Sequence, residues 1–184
     1  LRSERIRRLS KEGFWIVLGQ AMAVVGSLVG VRILTGIMSP TAFGELALGM
    51  TVAALVGQAV IGPLGNGVTR FYAPALEQGD LGGYFKAVRQ MVLQATGIII
   101  LMTLVAVVSL LFAGRPAWIA IVTSALLFAI FSGYNSMLSG IQNAARQRSI
   151  VALHQGVEPW ARFFGAAGLM MWLGATSIMA MVGY

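Results

Sequence analysis

Six residues carry the polar chemistry available inside an otherwise apolar chain: Arg32, Gln58, Arg70, Asn135, Ser136 and Arg162. Arg32 lies in the run Val31-Arg32-Ile33-Leu34, which leads at once into Ser39-Pro40 and a second apolar run. A charge within a membrane segment is costly enough that it ordinarily serves a water-filled cavity, a partner or a transport path. An arginine fork there suits bidentate capture of a phosphate or pyrophosphate. The competing reading is that Arg32, only about 10 Å of helix from Ser39, snorkels to the outer head groups. Arg70 and Arg162 fall near the expected inner ends of two spans, where each either meets an anionic substrate on entry or simply fixes topology.

The amide and hydroxyl groups form a pattern of their own. At 100° per residue, Ser132, Asn135, Ser136, Ser139, Gln142 and Asn143 lie within about 120° of one another, a polar stripe on a membrane helix. Small residues at Ser132, Ser136, Ser139 and Gly140 suit helix packing, whereas the bulkier Asn135 suits a hydrophilic cavity. Gln58 precedes Ile61-Gly62-Pro63-Leu64-Gly65, where proline removes an amide donor and a kink is expected. Gln20, Ala23 and Ser27, with Gly26 and Gly30 beside them, make a small-residue face about 120° from Arg32, and that face is assigned to packing.

Composition identifies the solvent around these groups. The chain is 58% hydrophobic and 10% charged, with mean hydropathy +0.82. Soluble domains carry roughly 25% charged residues, so this is an integral membrane protein. The net charge of +7 comes from basic clusters between apolar runs, which fit anionic lipids rather than nucleic acid. With no cysteine and a lone His154, neither disulfides nor a metal cluster is expected, and no cofactor is implied.

Five apolar spans emerge, at about 14–37, 42–62, 91–113, 117–140 and 163–183. The first, roughly 24 residues or about 36 Å long, exceeds the hydrocarbon core of about 30 Å and is too long for a cleavable signal. Because Leu1 is not Met and the last run reaches Tyr184, the chain is read as a fragment. Of its 13 Lys and Arg residues, all but Arg32 and Arg115 fall on one side of this arrangement. The positive-inside rule then makes the N-terminus cytoplasmic. Trp15, Tyr72, Tyr84 and Trp160 at inner boundaries and Trp118 and Tyr184 at outer ones agree with it.

The first hairpin is the most specific passage. Ser39 is placed to cap a new helix, Pro40 suits its first position, and Glu45 favours its positive end. Phe14-Trp15 through Arg32, Leu34 and Ser39-Pro40-Thr41-Ala42-Phe43-Gly44 resembles the opening of bacterial polysaccharide (O-antigen type) flippases. These belong to the superfamily that includes multidrug extruders and lipid II flippases. Gly65-Asn66-Gly67-Val68-Thr69-Arg70-Phe71-Tyr72-Ala73 and Gly140-Ile141-Gln142-Asn143-Ala144-Ala145-Arg146-Gln147-Arg148 extend the resemblance over most of the chain. It implies an all-α polytopic protein of two MATE-like bundles, of which these residues form most of the first, the C-terminal bundle being missing. The implied activity is flipping of an undecaprenyl-pyrophosphate-linked oligosaccharide across the bacterial inner membrane by alternating access.

A multidrug or cation extruder of the same superfamily is the first alternative, and a membrane-embedded glycan polymerase or ligase the second. No phosphate-binding loop, metal-ligand spacing or paired carboxylates argue for an enzyme. All six acids, Glu158 among them, are expected at boundaries or outside the membrane, leaving no buried carboxylate for coupling.

Overall fold

In the computed structural model, which describes residues 2–184, the apolar runs become helices whose ends are set by identifiable residues. Helix α1 (Arg2–Ile37) stops at Ser39, whose Oγ accepts from the Ala42 N–H at 3.3 Å and opens α2 (Pro40–Val56) with proline in its first turn. The predicted cap at Ser39-Pro40 is therefore present. The side chains at positions 2, 5, 7, 8 and 11, the basic arm expected to meet lipid, lie outside the described residues.

A five-residue π-helical turn, Gly57–Ile61, follows α2 and passes into α3 (Gly62–Glu77). The Gly62 N–H reaches back to the Gly57 carbonyl, the five-residue spacing of a π-turn. The irregularity expected from Gly62-Pro63 is thus a widened turn, and the second apolar segment runs on to Glu77 instead of ending near 62. Asp80 caps α4 (Leu81–Phe112) by accepting from the Gly83 N–H at 2.9 Å. A 3-10 turn, Pro116–Trp118, leads into α5 (Ile119–Ala144).

The last expected span, 163–183, is not one helix. Helix α6 (Arg148–Leu173) begins fifteen positions earlier, roughly four turns of helix, and ends at Gly174, whose φ of 112° favours glycine. The chain reverses there, and α7 (Ser177–Gly183), capped by Thr176, returns beside α6. Hydropathy misplaces both ends for physical reasons. Arg148, His154, Glu158 and Arg162 mask the first half of α6, while apolar residues on either side hide the reversal.

Among the described residues, four segments are long and apolar enough to cross a membrane: Gly13–Ile37, Pro40–Glu77, Leu81–Phe112 and Pro116–Ala144. In the apolar window of α4 only 11% is buried inside the protein, so most of that helix offers apolar surface to lipid. The chain is an all-α polytopic membrane protein. Helix α5 is its centre, packing against α2, α3, α4 and α7 through a buried stripe that includes Ala125, Ala129, Ile130, Gly133 and Met137.

Helix α1 docks on the far side of α6, the two running parallel, through the small-residue face assigned to packing. A Cβ at Gly19 would lie 2.6 Å from the Ala152 carbonyl oxygen, and one at Gly26 would lie 2.7 Å from Trp160 Nε1. Gly30 is covered by the Phe163 ring. Backbones approach this closely only where side chains are absent, and dispersion contacts then replace the hydrophobic drive that lipid removes. Single polar ties lock this pair and others. Trp160 Nε1 donates to the Met22 carbonyl at 3.1 Å, the Tyr84 hydroxyl to the Val68 carbonyl at 2.9 Å, and Ser177 Oγ to Glu45 Oε2 at 2.6 Å. Thr96 and Tyr134 join α4 to α5.

Candidate functional site

Helical register sets the depth of each polar group. Arg162 lies about 21 Å along α6 from Arg148 and about 16 Å from Leu173. Its guanidinium carbon is 5.1 Å from the Phe128 ring centroid, near the middle of α5. On the other wall, Ile61 of the π-turn seats against Gly133. Gln58, Phe128, Ser132 and Arg162 therefore share one level, well inside the bundle. This corrects the sequence-based position of Arg162, which belongs to mid-helix rather than to an inner boundary.

Two adjoining cavities meet at that level. One, of about 360 Å³, lies between α5, α6 and α7 and is lined by Ser132, Asn135, Glu158, Arg162 and the rings of Phe128, Phe131 and Tyr184. The other, of about 340 Å³, lies between α5 and the α2 π-turn, with Gln58, Ser132, Ser136 and Arg162 on its walls. Phe128, Ser132 and Arg162 border both. Helices α5 and α6 touch sparsely even though they are consecutive, and these cavities lie between them.

Arg162 is held from three sides. Its Nη2 donates to Glu158 Oε1 one turn earlier on α6, and its guanidinium faces Phe128 and also Tyr184, the latter at 5.5 Å. The Phe163 and Tyr184 rings meet edge to face at 5.2 Å, which fixes Tyr184 from behind. The pair is about three-quarters buried, with 24% and 26% of the two side chains exposed. A carboxylate and a guanidinium removed this far from water need each other.

The hydroxyls and amides behave differently here than elsewhere. Ser27, Thr51, Thr96 and Thr103 each donate to the carbonyl four residues back in their own helix. Ser132, Ser136, Asn135 and Gln58 carry no side-chain hydrogen bond among the described residues, so their polar atoms are open to the cavities. Ser132, which suited helix packing, lines space instead, and so does Ser136, a path candidate for which packing was the competing reading. Further along the stripe, Asn143 accepts from Arg148 Nη1 at 3.2 Å, while Gln142 Oε1 is buried without a partner among the described residues.

Four of the six sequence-derived candidates, Gln58, Asn135, Ser136 and Arg162, thus converge. Arg32 and Arg70 do not. Arg32 is exposed on the outer face of α1 with no ion-pair partner among the described residues, and Arg70 is exposed at the α3 surface, 6.0 Å from the Phe71 ring centroid. The participant that the sequence reading missed is Glu158, although its four-residue spacing from Arg162 was the available signal. Comparison with family models, curated proteins and solved structures finds no match for the chain.

Proposed function

We propose that this chain is part of a transporter that flips an undecaprenyl-pyrophosphate-linked oligosaccharide across the bacterial inner membrane by alternating access, with the N-terminus cytoplasmic. The observation that carries the reading is the mid-depth cleft in which Arg162 stands among unpartnered hydroxyls and amides. Arginine matches the fork geometry of phosphate oxygens, and Ser132, Asn135, Ser136 and Gln58 offer the neutral donors and acceptors that sugar hydroxyls require. The order of motifs around the Ser39-Pro40 hairpin supports the same family of substrates. A second bundle of the kind the family resemblance implies would supply the opposite wall, and anionic lipids the surroundings. Arg162 replaces Arg32 as the residue expected to meet the pyrophosphate.

An extruder of organic cations is the second reading, favoured by Glu158 and the rings of Phe128, Phe131 and Tyr184 on one cavity. Against it, Arg162 already occupies the Phe128 and Tyr184 rings and the carboxylate. The test is complementation with the full gene in cells lacking a surface-polysaccharide flippase. Wild type should restore surface glycan and Arg162→Ala should not, at equal protein level. Normal export by Arg162→Ala, or efflux of dye cations without glycan export, would overturn the proposal.

A further inference from the structure

We propose that Glu158 acts as the resident counter-anion of the substrate site, so that a phosphate-type anion binds Arg162 only when Glu158 takes up a proton. This rests on the reading of Arg162 as the anion-binding group. Three observations carry it. The Nη2 donor that Arg162 would present to a phosphate is engaged by Glu158 Oε1 from the same helix, one turn away, so the two anions compete for one cation. The cleft contains no second cation: among the described lining residues Arg162 is the sole base and Glu158 the sole acid. Finally, a displaced carboxylate would find only neutral partners, the Ser124 and Ser132 hydroxyls and the Asn135 amide.

Charge balance at this depth then selects the route. With Glu158 ionised, a doubly charged diphosphate diester would add two negative charges to a neutral pair in a low-dielectric cleft. Protonation removes one of the three negative charges and releases the Arg162 Nη2 donor that Glu158 held. The step is an exchange. A proton from water forms the Glu158 O–H bond, the Arg162 N–H to Glu158 hydrogen bond breaks, and the same N–H groups donate to phosphate oxygens. Release of the anion reverses it, returning the proton to water and re-forming the pair.

Few other groups near Glu158 can supply this titration. His154 is half-buried one turn earlier on α6, and α7 contributes Tyr184. Helix α5 presents only neutral side chains here, and α1 packs on the opposite face with its one described charge, Arg32, pointing outward.

The experiment uses the purified full-length protein in nanodiscs. Its probe is a short-chain prenyl diphosphate ester of a sugar, whose double charge is constant between about pH 5 and pH 8. Wild-type affinity should fall by about tenfold per pH unit on the alkaline limb, and binding in weak buffer should take up about one proton per anion. Glu158→Gln should bind with pH-independent affinity, His154→Gln should keep the wild-type slope, and Arg162→Gln should bind weakly throughout. A wild-type slope in Glu158→Gln, or no proton uptake by the wild-type protein itself, would overturn the exchange while leaving Arg162 as the anion site. Undiminished binding by Arg162→Gln would instead remove the site on which the transport reading stands.

Discussion

The two faces of α6 solve opposite problems. Toward α1 the helix presents Ala152 and Gly156 with the Trp160 and Phe163 rings, and glycines on α1 let the pair close until backbone meets backbone. Toward α5 it presents Glu158 and Arg162, and the helices stand apart around a cavity that holds this charge pair among apolar walls. Only the first face follows the usual logic of a membrane interface, small residues and dispersion contact. The second keeps unsatisfied hydroxyls and a charge pair at a depth where either is costly. The contrast teaches that the same helix is anchored on one side so that its other side can be left open.

Substitutions on the closed face should have the largest effect on stability. Gly30→Val would drive a branched side chain into the Phe163 ring, which is itself wedged against Tyr184. Overpacking of this kind costs about 1–3 kcal/mol or more, and loss of a monodisperse peak in size-exclusion chromatography is expected. Monodisperse Gly30→Val of unchanged thermal stability would break the comparison.

Glu158→Ala should come next. Leaving Arg162 unpaired costs about 1–2 kcal/mol, less than for a fully buried pair because about a quarter of each side chain is exposed. The double variant Glu158→Ala/Arg162→Met should recover part of that loss in a thermal melt. A double variant no more stable than Glu158→Ala would mean that the pair is not the source of the loss.

On the open face, filling space should leave stability nearly untouched and remove function. Ser132→Leu, at the junction of the two cavities, should change folding stability by under about 1 kcal/mol, since no hydrogen bond is lost. Glycan export in the complementation assay should nonetheless fall severalfold. Export at the wild-type level would show that the cavities are not on the path. Smallest of all, Arg32→Ala should alter stability by about 0.5 kcal/mol or less and leave export unchanged, since the residue is exposed and unpaired among the described residues.

What was legible in the sequence follows from the range of the forces involved. The Ser39-Pro40 cap and the glycine face of α1 are local patterns, and both are present in the fold. The polar stripe of α5 was legible as a stripe, but whether Ser132 and Ser136 glue helices or line space depends on how far away α6 stands, which no window of α5 contains. Arg162 was misplaced because charge counting treats each arginine as a boundary marker. Its depth became clear only once α6 was seen to begin at Arg148. Glu158 was overlooked for the same reason.

The π-turn at Gly57–Ile61 has a consequence for the numbering of faces along the second segment. Relative to an uninterrupted α-helix, one surplus residue is accommodated there, so every position beyond it is rotated by about 100°. Val68, whose carbonyl accepts from Tyr84, and Thr69, which lies against Gly140, owe their present directions to that single residue. Deleting one residue between 57 and 61 would therefore act as a screw of fixed angle, turning α3 away from both neighbours while leaving α2 in place.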